Sequence, residues 1–520
     1  MKNWLTTAAL VGVLALPRAA SAFCGFYVGG AGTELYNNAT QVVLMRDGTR
    51  TVLSMQNNYQ GPPQSFALVV PVPVVLSKEN VKTLDREVFS RVDKLDAPRL
   101  VEYWEQDPCH PYMTRDVVMS APGAVMLEQA SDEGEARRLG VKVEAKFSVG
   151  EYDIVILSAT DSAGLETWLK QERYQIPSGA EPYLRPYVQR GSKFFVAKVA
   201  AERVKFERGM ATLSPLRFHY DSEQFALPIR LGLVNAKDAQ DLIVHILAKG
   251  DRYEVANYPN VIAPTNLEVN DATRDQFGAF YAALFDRVLQ KHPKAIVTEY
   301  SWQAGSCDPC PTPPLDLDAL AALGADVLPS VGDEVEDPSA VTGSFVLTRL
   351  HARYTKESLG SDLVFRRAAA IRGGREIRTP SGALESGGQA ADQNNFQSRY
   401  IIRHPWTGPI TCESPKRGVW GGPPDEGGGR SQPRAVPAQD LAFAPRGKVT
   451  LGMFVREDAP ELDVKAIGPT EGDPPGGVVV PPAKKSCACG VVGAREGAVW
   501  GTLCAVGLAG AAIGRRRRRR

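Results

Sequence analysis

Gln41-Val42-Val43-Leu44-Met45 and Thr51-Val52-Leu53-Ser54-Met55 flank the segment Arg46-Asp47-Gly48-Thr49-Arg50. Asp-Gly between two apolar runs predicts a β-hairpin, because glycine supplies the positive φ of a tight connection. The same grammar continues on the C-terminal side. Phe66 to Val75 reads as a strand, and Pro71 and Pro73 restrict it to an edge or a bulge. Ser77 is placed to cap a helix in which Val81, Leu84, Val88, Val92 and Leu95 recur every three or four residues, ended by Pro98. Arg99 to Glu105 reads as a second short helix. Strands are expected at 141–147, 153–157, 194–199, 227–234, 242–247, 295–300 and 345–354. Asp161 and Asp271 open helices, the second carrying Phe277, Phe280, Tyr281, Leu284, Val288 and Leu289 on one face. Strands outnumber helices, and the helices are separate insertions and not regular crossovers. The predicted class is therefore α+β, mostly antiparallel strands with a few inserted helices.

The two ends of the chain carry different signals. Lys2, the apolar run Trp4–Leu16 and then Ala20-Ser21-Ala22 have the order of a secretory signal peptide, residues 1–22, with the mature chain starting at Phe23. Cys24 stands one residue too far from the small residues to be a lipobox cysteine. At the other end, Gly497 to Gly514 contains no charged residue and Arg515 to Arg520 follow directly. At about 1.5 Å per residue this segment spans roughly 27 Å, enough for a single C-terminal membrane helix. The arginines would hold that end in the cytoplasm and leave the body outside. Between the body, 23–425, and the tail, 487–520, residues 426–486 read as a Pro/Gly-rich disordered linker. The body has room for two subdomains meeting near residue 300.

Charge separates the same regions. The whole chain carries +1, the tail from Lys484 carries +8 and the first 22 residues +2, so residues 23–483 carry about −9. An acidic body has no footprint for nucleic acid, and none is expected as a partner. Of eight cysteines, Cys504 lies in the apolar tail segment and Cys487 and Cys489 just before it. The body holds Cys24, Cys109, Cys307, Cys310 and Cys412, which export makes candidates for disulfides, with connectivity left open.

Few motifs suggest chemistry. Cys307-Asp308-Pro309-Cys310 is a C-x-x-C pair, but a redox dithiol uses a helix N-terminus to favour its thiolate. Pro311, Pro313 and Pro314 leave no helix to start there, so a structural disulfide is the expectation. A zinc site drawn from Cys109, His110, Cys307 and Cys310 has no second C-x-x-C to support it. No G-x-S-x-G elbow, H-E-x-x-H pair or phosphate-binding glycine loop is present. His219 and His245 fall in strand-like stretches and read as structural. Trp302, Trp406 and Trp420 sit in loop-like segments, as binding anchors or, more simply, as plugs for the core. No cofactor and no metal is expected.

Two resemblances add to this. The segments Phe23–Val28, Glu151–Ala159, Leu213–Phe218 and Leu227–Gly232 resemble the domain of unknown function 2330 (DUF2330) family, over about residues 23–425. That resemblance implies export and no assigned activity. The tail Lys484-Lys485-Ser486-Cys487-Ala488-Cys489-Gly490, its Gly/Ala-rich segment and its arginines resemble the myxobacterial C-terminal sorting domain, MYXO-CTERM. This implies cleavage near Cys487 or Cys489 and retention through that cysteine as a lipid anchor. The expected protein is an extracytoplasmic, membrane-anchored module in the periplasm or at the cell surface. Its partners would be the membrane and the export and sorting machinery. A binding or structural role is expected, and an envelope hydrolase with a site assembled from distant residues is the alternative.

Overall fold

The computed structural model describes residues 26–28, 39–56, 67–109, 139–172, 174, 179–207, 210–234, 239–331, 338–355, 358–375, 377, 385, 387–423, 434–437 and 449–467. All lie in one compact unit that ends at Pro469. The expected signal peptide, the Cys487/Cys489 tail and the candidate membrane helix lie outside the described residues. Among those described, no helix is long and apolar enough to cross a membrane.

Strands dominate, as the alternating patterns require. In chain order they are β1 (Phe26–Val28), β2 (Ala39–Asp47), β3 (Arg50–Gln56), β4 (Ala67–Val72), β5 (Val81–Thr83), β6 (Arg99–Glu105), β7 (Val141–Val149), β8 (Tyr152–Ala159), β9 (Lys193–Val199), β10 (Leu216–Asp221), β11 (Gln240–Lys249), β12 (Ile296–Gln303), β13 (Phe345–Tyr354), β14 (Asn395–Gln397) and β15 (Arg399–His404), with shorter pieces between. The helices that cover them are α1 (Arg86–Asp96), α2 (Ser162–Gln171), α3 (Glu181–Gln189), α4 (Phe277–Lys291) and α5 (Leu317–Leu323). The hairpin β2–β3 forms as expected, turning at Gly48 with φ +54°. It is the middle of a sheet whose order runs β14-β12-β13-β11-β2-β3-β10-β5. Only the β2–β11 pairing in that run is parallel.

A second sheet, β1-β4-β9-β8-β7, is antiparallel throughout. The two sheets face each other. Val42, Leu44, Leu53 and Met55 from the first meet Leu68, Val70, Ile154, Ile156 and Phe195 from the second. Helices α2 and α3 cover the outer face of the second sheet through Leu165, Trp168, Leu169 and Leu184. Helices α1 and α5 cover the outer face of the first through Phe89, Val92, Leu95, Leu320 and Leu323, and α4 packs beside them. The architecture is thus a helix–sheet–sheet–helix sandwich, an α+β fold built mostly of strands. A small third sheet places β6 parallel to β15 beside α4.

Several local expectations are corrected. Arg99–Glu105 is strand β6 and not a helix; its pairing with β15 joins segments about three hundred residues apart, which no local pattern reveals. Helix α1 begins at Arg86, where the Asp85 side chain accepts from the Glu87 N–H, while Val81 belongs to strand β5 opposite Phe218. Within 227–234 only Leu227, the end of a short strand Ala226–Leu227, is extended in a ladder, and Arg230–Val234 is a 3₁₀ turn. The long helix starts at Phe277, after a 3₁₀ turn at Asp271–Gln276. The proline expectation for 66–75 is met locally: β1 borders β4 only from Ala67 to Val69, so Pro71 lies where the described residues give β4 a ladder on one side alone.

Residue 300 is no subdomain boundary. It lies inside β12, between β13 and β14. Nor is 426–486 wholly linker. Leu451, Phe454, Val455, Ala459 and Leu462 pack on the apolar face of α4. Their backbone is fixed by bonds from Asn270 N–H to Phe454 C=O and from Arg456 N–H to Glu268 C=O.

Candidate functional site

Strand alternation sorts side chains between the two faces of the first sheet. From β11, the residues Asp241, Ile243, His245 and Leu247 point toward the helices, and from β13 so do Leu347, Arg349, His351 and Arg353. Register sets His245 opposite Arg349 and Asp241 opposite Arg353. Strand β12 adds a carboxylate beside an irregularity: Thr298 pairs with Leu350 and Tyr300 with Arg349, so Glu299 is the extra residue of a bulge. Alternation from Val297 puts Glu299 on the helical side, and the bulge re-aims the next side chain, Tyr300, to that side as well. Helix α1 then supplies Asp93 and Asp96, one turn apart, from above.

The result is a charged seam buried at its centre and reaching partly exposed Asp286 at one end. Arg349 Nη1 donates to Asp93 at 2.6 Å and to Asp96 at 2.8 Å, and Nε donates to Glu299 at 2.7 Å. His245 Nδ1 lies 2.6 Å from the second oxygen of Asp96. His351 lies between two acids, with Nδ1 2.6 Å from Glu299 and Nε2 3.2 Å from Asp241. The Tyr281 hydroxyl of α4 donates to Glu299, and Arg353 bridges Asp241 and Asp286. Asp96, Glu299 and His245 are fully buried, and Arg349 is 1% exposed. Phe285 stacks on His351 with centroids 3.8 Å apart.

Electrostatics fix the protonation states. Burial would lower the Arg349 pKa, but Asp93, Asp96 and Glu299 raise it well above the usual value. Burial would raise Glu299, yet His351, Arg349 and Tyr281 together hold it at about 2. Burial would depress His351, and Glu299 and Asp241 outweigh that and raise it. Asp241 is held low against burial by His351 and Arg353. The seam is therefore a set of paired charges.

Asp93, Asp96 and His245 bring three donor atoms within 4.8 Å of one another, a spacing a metal ion could use. Their chemistry argues otherwise. Arg349 already bridges both carboxylates, so an added cation would meet a fixed positive charge. Among the described residues the seam acts as an internal brace that pins α1 and α4 to the sheet.

The cysteines settle differently. Cys109 is bonded to Cys412, with Cα atoms 5.5 Å apart and 303 residues between them. Cys307 is bonded to Cys310, with Cα atoms 4.9 Å apart. Both sets of sulfurs drawn into the zinc alternative are thus engaged in disulfides. No helix begins at the C-x-x-C loop; α5 starts at Leu317. Cys24, His110, Cys487 and Cys489 lie outside the described residues. Of the tryptophans, Trp302 is buried in β12 as a plug, while Trp406 and Trp420 are half-buried, Trp420 beneath Arg403 with the guanidinium 5.1 Å from its ring centroid. His219 is braced by Asn80, 3.2 Å away.

The buried arginines leave little mark on the sequence. Arg349-x-His351-x-Arg353 alternates within a strand, and that polar face is the one available signal. Arg99 and Arg399, also fully buried, had none.

A four-layer sandwich with a buried ionic brace and two disulfides defines a structurally reinforced all-in-one body with no visible catalytic centre among the described residues. Residues 18–348, more than half of the chain, match the family described as uncharacterized protein conserved in bacteria (DUF2330). The chain belongs to that family. The matched span is shorter at its C-terminal end than the 23–425 expected. No curated protein and no solved structure matches the chain.

Proposed function

We propose that this chain is an exported protein whose folded body stands outside the cytoplasm, is held to a membrane by its C-terminal segment, and works by binding or as a structural module. The observation that carries the reading is the Cys109–Cys412 bond, which ties together segments 303 residues apart. Such a bond persists in oxidising compartments and is rare in a reducing cytosol. The signal-like N-terminus and the apolar, arginine-backed C-terminus support the same placement. The ionic seam, buried at its centre, supports a non-catalytic role. The resemblance of the tail to MYXO-CTERM supports cleavage near Cys487 or Cys489, with one of those cysteines carrying the final anchor.

The test is fractionation of cells expressing the native chain, followed by N-terminal sequencing and peptide mapping. The expected protein is membrane-bound, protected from cytoplasmic labelling, starts at Phe23, and yields a modified cysteine at 487 or 489 with no Trp500 peptide. An intact Met1 in the cytoplasmic fraction overturns export. Stoichiometric Trp500 peptides overturn the processing alone. Turnover of generic ester or peptide substrates by the purified body would replace the binding reading with the hydrolase alternative.

A further inference from the structure

Three arginines are among the largest fully buried side chains: Arg349, Arg99 and Arg399. Arg349 is held by three carboxylates. The other two have none. They are register partners at the start of the parallel pair β6–β15, so their side chains leave the sheet on the same face. Arg99 donates from Nη1 to the Pro309 carbonyl at 2.9 Å and from Nη2 to the Leu95 carbonyl at 2.5 Å. Arg399 donates from Nε to Asn266 at 3.2 Å and from Nη1 to the Tyr103 hydroxyl at 2.7 Å. Arg99 Nε and Arg399 Nη2 are buried with no hydrogen-bond partner.

Two register-paired guanidiniums in a low-dielectric interior, neither with a carboxylate at ion-pair distance among the described residues, are costly to bury. Burial lowers the Arg99 pKa and Arg399 adds to that, while Tyr300 and the more remote Asp96 and Asp308 offset it only in part. Other polar atoms nearby are also unsatisfied. The Tyr300 ring lies under Arg99, 5.5 Å from its guanidinium carbon, and its hydroxyl has no partner. Gln397, opposite Tyr300 in the β12–β14 ladder, leaves its Oε1 unpaired.

What closes this cluster on its outer side is the disulfide loop. Gln397 Nε2 donates to the Asp308 carbonyl at 2.5 Å, and Arg99 to the Pro309 carbonyl. Both acceptors lie between Cys307 and Cys310, and Cys310 is exposed. The loop therefore offers Arg99 a neutral carbonyl oxygen where its charge calls for an anion. Guanidinium forks match oxyanions with paired, charge-assisted hydrogen bonds about twice as strong as neutral ones.

We infer that Arg99 and Arg399 form a binding site for a small oxyanion, a carboxylate or phosphate group, which enters by displacing the Cys307–Cys310 loop and takes the place of its carbonyls. The inference narrows the binding reading above to a ligand class. The fractionation experiment tests location and the experiment below tests the site, so either can fail alone.

The purified body, with both disulfides intact, is titrated calorimetrically with inorganic phosphate and with acetate at fixed ionic strength, chloride serving as the reference. The expected result is saturable binding of one of the two oxyanions, which names the group, weakened at least tenfold in Arg399→Lys, which keeps the charge and loses the fork. A second measurement needs no variant. Reduction of Cys307–Cys310 by dithiothreitol should accelerate several-fold at saturating oxyanion, with Cys109–Cys412 as an internal control whose rate does not change. No saturable binding by either anion overturns the proposal, as does equal affinity in wild type and Arg399→Lys. Should Arg399→Lys fail to fold, an unchanged reduction rate in the wild type overturns it.

Discussion

Replacing Arg349 by methionine keeps most of the side-chain volume and removes the charge that three acids share. Glu299 would retain His351 and Tyr281, and Asp96 would retain His245. Among the described residues Asp93 pairs through its carboxylate with Arg349, so it is left buried without that counter-charge. Breaking a buried pair by removing one partner costs roughly 3–5 kcal/mol, because the remaining charge keeps the cost of its desolvation. The variant should therefore lose about 4 kcal/mol at pH 7. Urea unfolding of the purified body, followed by tryptophan fluorescence, measures it. A loss below about 1 kcal/mol would refute the assignment of the seam as an ionic brace.

Four further outcomes are expected. His351 is raised in the folded state, so its contribution is fully present below about pH 6.5 and is lost as pH rises through the raised value; His351→Asn should flatten that alkaline decline in urea midpoints. Intact mass of the unreduced body should show no free thiol among Cys109, Cys307, Cys310 and Cys412, and Cys412→Ser should destabilise by about 2–5 kcal/mol in the same urea assay, since the bond closes a very long loop. Gly374→Ala puts a Cβ at 1.8 Å from the Gln397 carbonyl at φ +68°, so it should lower the midpoint by well over 1 kcal/mol, read by thermal or urea unfolding. A chain ended at residue 425 strips Phe454, Leu462 and their neighbours from α4, and should be more protease-sensitive than one ended at 469 in limited digestion.

Legibility in the sequence follows the range of the forces involved. The β2–β3 hairpin, β7 and α2 were readable because Asp-Gly, the alternation of Val141, Val143, Ala145 and Phe147, and the Asp161 cap act within a few residues. Segment Arg99–Glu105 was not, because its charges and aromatics suit either state; what makes it a strand is β15, nearly three hundred residues on. The C-terminal Leu451–Leu462 stretch was hidden for a related reason. Its apolar residues are too sparse to form a periodic element, and they fold as short turns on a surface that α4 provides.

The seam was hardest of all to anticipate, and its geometry explains why. Glu299 reads as an ordinary strand residue, on the same face as Val297 by alternation; Arg349 and the acids of α1 that it joins come from elements distant in the chain. The bulge between Thr298 and Tyr300 then places Tyr300 on that face as well, opposite Arg349 and under Arg99. A single backbone irregularity thus borders both buried charge clusters. Deleting Thr298, to restore a regular β12–β13 ladder, should turn Glu299 to the face between the sheets and release it from Arg349, while Tyr300 keeps its place opposite Arg349. The two clusters can be followed separately, the first by urea unfolding and the second by oxyanion titration. The brace should be lost with oxyanion affinity unchanged; loss of both together would refute this reading of the bulge.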